Sequence, residues 1–483
     1  MSAHESTETT DTHVPITTAP ISLELGTAPG RWLLLVTVLA STMAFLDATA
    51  VNVALPTIGT DLGASLSGLQ WIVTGYTLAL ASLVLLGGAL GDRYGRRRVF
   101  VTGVIWFATA SILCGLAPTT ELLIAARVLQ GIGGALLTPG SLSLIQASFR
   151  PEDRARAIGV WSGLGGIAGL AGPFLGGFLV DAVSWRWIFL INAPLAIVVV
   201  VVSLRHVPES RDPAHHGRFD ILGAVLTAIA LGGVTYALID AGSSAGTWIA
   251  LAVGLAAGVD FILQERRSAD PMLPLDVFNN RQFSGANLST LAVYGALGGF
   301  SFFLVLQLQT VLGYSALQAG AAMTPSILVI SLLSSRAGAL ATSIGPRLPM
   351  TIGPMIAAVG VFHLSFAGAG TEFVTGVLPG SLVFGLGMAL VVAPLTATVL
   401  AAVPDHLAGV ASGVNNAVAR AASLLVVAAL PVAVGLSGDD YALPEVFTGG
   451  YALAMRLCAA LLALGGLIAW LTIRNDVLAK DPS

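Results

Sequence analysis

Two charged residues lie inside long apolar stretches, where water cannot easily serve them. Asp47 stands in Leu46-Asp47-Ala-Thr-Ala-Val-Asn52, and Arg127 in Arg127-Val-Leu-Gln130-Gly131. A charge near a bilayer centre costs at least about 2.5–3.5 kcal/mol on insertion scales, so such a group usually has a function and a partner. A carboxylate beside an arginine could carry a proton. The arginine favours the ionised acid, desolvation in a closed state favours the neutral one, and protonation can then alternate with conformation. A purely structural ion pair is the competing reading, although a buried pair adds little net stability and apolar residues could replace it. Asp47 is the only carboxylate well inside the first six apolar spans, and the last six contain none. One carboxylate neutralises about one positive charge, so neutral or monocationic amphiphiles are expected to be handled better than dications.

Other chemistries find no residues to carry them. Lys480 is the one lysine and is followed by Asp481, so the chain has no phosphate-binding G-x-x-x-x-G-K-[ST] loop and is not expected to hydrolyse ATP by itself. Cys114 and Cys458 lie in apolar stretches and read as core residues. The 7 histidines are scattered without metal-ligand spacing. The chain is therefore expected to be no enzyme, to hold no metal and no cofactor, and to bind no nucleic acid.

Residues of this kind need a scaffold in lipid. Of 483 residues, 55% are hydrophobic and 10% charged, with a mean hydropathy of +0.86. A soluble surface needs about 25% charged residues, so the outer surface must face something apolar. The expected class is an all-α integral membrane protein, and 56 glycines suggest closely packed helices. Fourteen stretches approach the roughly 20 apolar residues a spanning helix needs. With the N-terminus in the cytoplasm, 18 of the 22 Lys and Arg fall on the cytoplasmic side, one (Arg186) outside, and three (Arg127, Arg420, Arg456) within spans. That asymmetry supports fourteen spans with both termini inside. At about 1.5 Å per residue, Asp47 lies roughly 22 Å from the inner end of span 1 and Arg127 roughly 10 Å from the outer end of span 4. In a core about 30 Å thick those depths nearly coincide.

A weak repeat divides the chain. Gly88-Ala-Leu-Gly-Asp92-Arg93-Tyr-Gly95 follows the second span, and Gly338-Ala-Leu-Ala-Thr342-Ser343-Ile-Gly345 follows the tenth, 250 residues later. Two similar halves suggest a transporter with its site between them. The expected organisation is a disordered cytoplasmic tail over 1–30 and a six-helix bundle over 31–206. An inserted hairpin with its leading loop follows over 207–267, then a linker over 268–283, a second six-helix bundle over 284–474, and a tail over 475–483.

Several segments together resemble the major facilitator superfamily, in particular its fourteen-span drug:proton antiporters. The loop Gly88, Asp92, Arg93, Gly95, Arg96, Arg97 is similar to the family's gating motif, and Leu46–Pro56 to the first-span signature of that subgroup. Arg127 through Gly134 resembles the fourth-span Arg motif. Gly169-Leu-Ala-Gly172-Pro173-Phe-Leu-Gly176-Gly177 resembles the fifth-span antiporter motif, and Trp185 through Pro194 is also typical of the subgroup. The resemblance covers the chain beyond residue 30. It implies a major facilitator fold and a monomeric, proton-driven plasma-membrane exporter of small amphipathic drugs or secondary metabolites, working by alternating access. A dedicated exporter of one metabolite, lipid or siderophore on the same fold, or a transport-inactive sensor, are the alternatives. It also implies that Asp92, at an unfavourable helix C-terminus, latches onto a helix start near Ala408-Gly409. Gly172 and Gly176 have the spacing that lets another helix approach closely. Asn52, Tyr76, Gln130, Gln307, Gln309, Asn415, Asn416 and Arg420 are the candidate cavity residues.

Overall fold

The computed structural model describes residues 23–211, 220–240, 244–268, 271, 273–404 and 407–475. Among these residues there is no strand, only helices joined by short loops. The first set is α1 (Ala28–Leu62), α2 (Leu66–Tyr94), α3 (Arg96–Leu116), α4 (Thr120–Ser148), α5 (Pro151–Ala182), and α6 (Arg186–Leu190) continuing into α7 (Asn192–His206). A hairpin of α8 (Ile221–Ile239) and α9 (Ala245–Arg267) separates it from the second set. That set comprises α10 (Arg281–Leu306), α11 (Ala316–Ile344), α12 (Arg347–Leu364), α13 (Leu378–Ala401), α14 (Ala408–Ala433) and α15 (Pro444–Thr472).

Among the described residues, 13 helices are long and apolar enough to cross a bilayer, with α6 and α7 counted as one. In α5, where the sequence places the fifth span, the described apolar stretch is the shorter Ala171–Ala182.

The two sets pack alike. In the first, α4 lies against α2 and α3, and α1 against α5; in the second, α13 lies against α11 and α12, and α10 against α14. Lipid gives helices no hydrophobic drive to associate, so close approach of small residues must hold them. A Cβ added at Gly133 on α4 would stand 2.6 Å from the Phe107 nitrogen on α3, and one at Gly131 would collide with the Tyr76 carbonyl on α2. The hairpin sits outside both sets, with α8 against α2 and α14. Most of its large apolar side chains, such as Ile221, Trp248 and Val259, are exposed.

The repeat seen in the sequence has a structural counterpart. Gly95 and Gly345 both take positive φ, 110° and 86°, just before α3 and α12. Against each stands a polar side chain from the segment that follows the last helix of its own half. Glu209 Oε1 accepts from the Arg97 amide at 3.0 Å, and Asn475 Oδ1 accepts from the Arg347 amide at 3.2 Å. Each end gains an acceptor for helix-start amides that have no partner within the helix. Any side chain at either glycine would strike that acceptor, 2.6 Å away at Gly95.

Of the tail expected over 1–30, residues 1–22 lie outside the described residues. From Leu23 onward the chain is folded: the Leu23 amide donates to Ser148 O at 2.8 Å, and Thr27 caps α1. Arg218 and Lys480 lie outside the described residues.

Candidate functional site

Asp47 and Arg127 meet in the middle of the first helical set. Arg127 Nη1 donates to Asp47 Oδ2 at 2.5 Å, and each residue is 1% exposed. Arg127 and Gln130 lie three residues apart on α4, which puts both on the face toward α1. Gln130 Nε2 donates to Asp47 Oδ1 at 2.7 Å, while its Oε1 accepts from Arg127 at 2.7 Å. Both carboxylate oxygens and both ends of the amide are therefore committed. The guanidinium also donates through Nε to Ile72 O on α2 at 3.1 Å and stacks on the Tyr76 ring, 4.3 Å from its centroid. A buried pair is stable only when its remaining hydrogen-bonding capacity is met, and here the neighbouring helices meet it.

The network runs on through residues that sequence reasoning did not single out. Gln130 Nε2 reaches Ser111 Oγ on α3 at 3.1 Å, and Asn192 Nδ2, at the break between α6 and α7, reaches the same oxygen at 3.0 Å. Asn192 belongs to the Trp185–Pro194 signature, so its motif was legible although its contact was not. Ser111 carries no sequence signal beyond one hydroxyl in an apolar helix.

A cavity of about 400 Å³ lies between the two sets. It is large enough for a drug-sized ligand. From the first set come Phe45, Asn52, Tyr76 and Arg127; from the second, Tyr294, Phe302, Asn416 and Arg420. Tyr76 thus has one face on the arginine and lines the cavity as well. A neighbouring cavity of about 180 Å³ shares Tyr294 and Asn416 and is lined by Thr396, Val399 and Leu400 near the end of α13, and by Asn415.

Three expected cavity residues lie elsewhere. Gln130 is fully buried in the ion-pair network. Gln307 is also fully buried and donates to Ala367 O at 2.8 Å, because the chain winds into a π-turn there. Gln309, in the same turn, donates to Val53 O of the first set at 2.8 Å. Asn415 lines only the smaller cavity and donates to Thr290 Oγ1 at 2.7 Å. Asp260, a further acid within an apolar stretch, is exposed on α9 and makes no ion pair among the described residues.

The two ends of the interface differ. One end carries most of the arginines: Arg93, Arg96, Arg97, Arg98, Arg150 and Arg347. At this end no hydrogen bond or ion pair joins the two sets among the described residues. Asp92 accepts from Arg96 at 2.8 Å, four residues along the chain. The expected contact at Ala408-Gly409 is not formed among the described residues, and Gly409 has nothing within 4 Å of an added Cβ. Arg97 and Arg98 approach Glu209 at 3.6 and 3.7 Å, and Arg347 stacks on Trp470. Asp92, Arg96, Arg97 and Arg98 thus have partners within their own half.

The far end is tied together. Gln70 Nε2 donates to Val427 O at 2.8 Å, the Leu66 amide to Gly438 O at 2.7 Å, and Tyr441 OH to Ala64 O at 2.8 Å. At the end of α5, Asp181 accepts from the Ala316 and Leu317 amides at 3.2 and 2.8 Å. A carboxylate from one half thus caps the first turn of α11 in the other, where free amides and the helix dipole favour negative charge. The sequence signal for it is modest: an acid one turn beyond the Gly-Pro segment. Asp181→Ala is expected to weaken this closure by about 1 kcal/mol, the discounted value of an exposed helix-end charge, and so to raise the far-end-open population roughly fivefold. Spin labels at the far ends of α5 and α11 measure it, and an unchanged distance distribution counts against the latch.

The antiporter segment serves two interfaces, not one. Gly172 and Gly176 lie against Thr49 and Ala50 of α1, within the same half. Gly177 and Pro173 face α11: a Cβ on Gly177 would stand 2.5 Å from Leu317 Cα, and Gly320 packs on the Pro173 carbonyl. Gly169 has nothing within 4 Å. The close helix approach expected at Gly172 and Gly176 is thus made inside one half. They hold α5 to α1, and their neighbours Pro173 and Gly177 meet the other half.

Two helical bundles around a shared central cavity, bound together at one end among the described residues, define a membrane carrier. The Major Facilitator Superfamily model matches residues 37–428, and the chain belongs to that superfamily. It is a multi-pass plasma-membrane transporter and not an enzyme. It is 35% identical to puromycin resistance protein pur8 of Streptomyces alboniger, over 94% of both chains. It is 37% identical to multidrug resistance protein Stp of Mycobacterium tuberculosis, over 80% of this chain and 72% of that one. To the methylenomycin A resistance protein of Bacillus subtilis it is 34% identical, over 95% and 98%. Among solved structures, a bacterial homologue of the human lysosomal transporter Spinster in an inward-facing conformation superposes with a TM-score of 0.69. That match covers 95% of this chain and 100% of that one at 18% identity. A D-xylose–proton symporter superposes at 0.66, over 92% and 98%, with 16% identity. Likeness at that identity concerns the fold alone.

Proposed function

We propose that the protein is a proton-coupled exporter of amphipathic antibiotics or secondary metabolites that works by alternating access. The observation that carries the proposal is the buried Asp47–Arg127–Gln130 network, whose Arg127 lines the central cavity beside Tyr76 while Asp47 lies buried behind it. An acid so placed can exchange a proton only when a rearrangement admits water, which would tie protonation to conformation. The resistance proteins among the relatives support the export direction and the substrate class. The chain has no phosphate loop, so a proton gradient is the natural energy source.

In this reading the arginine-rich end faces the cytoplasm. The state described is inward-open, with the outer end closed through Asp181, Gln70 and Tyr441. The Pro151–Ala182 helix is the fifth of fourteen spans, and both termini are cytoplasmic. Rocking of the two bundles would release the Asp181 cap and bring Asp92 to the start of α14.

The test is efflux of a panel of fluorescent amphiphiles from cells expressing the protein, with and without a protonophore. Efflux of at least one dye that the protonophore abolishes is expected. Efflux that survives collapse of the gradient would exclude proton coupling, and none from any dye would exclude the broad-specificity reading.

A further inference from the structure

The charge that the cavity offers a ligand is the opposite of what the sequence suggests. Asp47 has a fully buried side chain, and its two oxygens are taken by Arg127 and Gln130. No carboxylate is among the cavity's lining residues, which include two arginines. Arg127 is neutralised by Asp47, but Arg420 is not neutralised. It makes no ion pair and no hydrogen bond among the described residues, and its Nε is buried without a partner.

We infer that Arg420 is the anion-recognising group of the central cavity and that the preferred substrates are amphiphiles bearing one carboxylate. This deepens the export reading above and rests on it for the word substrate. A partly buried guanidinium without a counter-charge is costly, and removing it would relieve that cost. A ligand carboxylate supplies the missing charge, and it fits the planar donor fork of arginine better than any neutral group does. The surroundings agree. Tyr76, Tyr294, Ser301 and Ser423 line the same cavity, and none of their hydroxyls has a hydrogen-bond partner among the described residues. Each can donate to an anion. Phe45 and Phe302 supply apolar wall for the rest of the molecule. A cationic ligand would meet Arg420 with no carboxylate to receive it, so the acceptance of monocations expected from Asp47 does not carry over to this cavity.

The test uses three dansyl probes of similar size: dansyl-phenylalanine (one carboxylate), its methyl ester (neutral) and dansylcadaverine (one cation). Their binding to the purified protein is followed by dansyl fluorescence in the parent, Arg420→Gln and Arg420→Lys. The parent is expected to bind the carboxylate at least about tenfold tighter than the ester, as suits a charge-assisted hydrogen bond, and the cation weakest. Arg420→Gln should bind acid and ester alike, while Arg420→Lys should restore part of the preference. Equal affinities for acid and ester in the parent overturn the inference. So does an unchanged ratio in Arg420→Gln, or no saturable binding of the acid. Equilibrium binding does not depend on efflux: failure of every dye in cells would remove the export reading and leave the binding order to decide the role of Arg420.

Discussion

Asp47→Asn is expected to abolish proton-driven efflux and to lower thermal stability. In the parent, Asp47 accepts on both oxygens, from Arg127 and from Gln130. An asparagine has one acceptor and one donor, so whichever way it turns, its NH₂ faces another donor. Gln130 cannot turn to compensate, because its own Oε1 already accepts from Arg127. The arginine is then left as a buried charge with half its counterpart gone, a change that typically costs about 3–5 kcal/mol. Instability alone could explain lost transport, so the decisive variant is the double replacement Asp47→Leu, Arg127→Met. Removing both charges at similar volume is often neutral or stabilising. That protein should fold, melt within a few degrees of the parent, and show no proton movement driven by drug in inverted vesicles. Retained proton movement in the double variant means that Asp47 is a structural pair and that another group carries the proton. Arg127→Ala alone is expected to impair efflux while leaving some, since the acid survives.

Gly177→Val is expected to block closure of the outer end and to cut efflux at least about fivefold, without lowering the melting temperature much. The added Cβ would stand 2.5 Å from both the Ala316 carbonyl oxygen and Leu317 Cα, all backbone atoms that cannot rotate aside. The two halves must separate there, and overpacking of this kind costs about 1–3 kcal/mol, or roughly five- to a hundred-and-fiftyfold in the closed population. Gly176→Val is the control. Its Cβ would meet Ala50 Cβ at 2.6 Å and Ala50 Cα at 2.8 Å, inside one bundle that stays together in either state. That variant should lose thermal stability first. Spin-label distances across the outer ends of α5 and α11, paired with melting curves, separate the two. Normal efflux in Gly177→Val, or a stable and inactive Gly176→Val, would sink the division between moving and fixed interfaces.

The primary structure by itself determined the membrane class, the two-fold plan and the central ion pair. Each rests on a property local to the chain. A run of about 20 apolar residues must cross a bilayer, the positions of arginines between runs fix alternation, and the depth of a residue follows from the helical rise. Those three quantities put Asp47 and Arg127 at one level, and the structure brings them to 2.5 Å. Tertiary structure alone decided which polar side chains face the cavity. Tyr76 and Arg420 line it, whereas Gln130, Gln307 and Gln309 turn to an acid or to backbone carbonyls of other helices. In lipid a polar side chain takes whatever partner is within reach, and that depends on the rotation and tilt of neighbouring helices, which no single span encodes. The same holds for Asp92 and Asp181. Both are acids at helix ends, and in the sequence only Asp92 carries a signature. Yet in this state Asp181 caps the opposing helix while Asp92 rests on Arg96. Which carboxylate meets a free helix start is set by how the two bundles lean on one another, a property of the assembled pair.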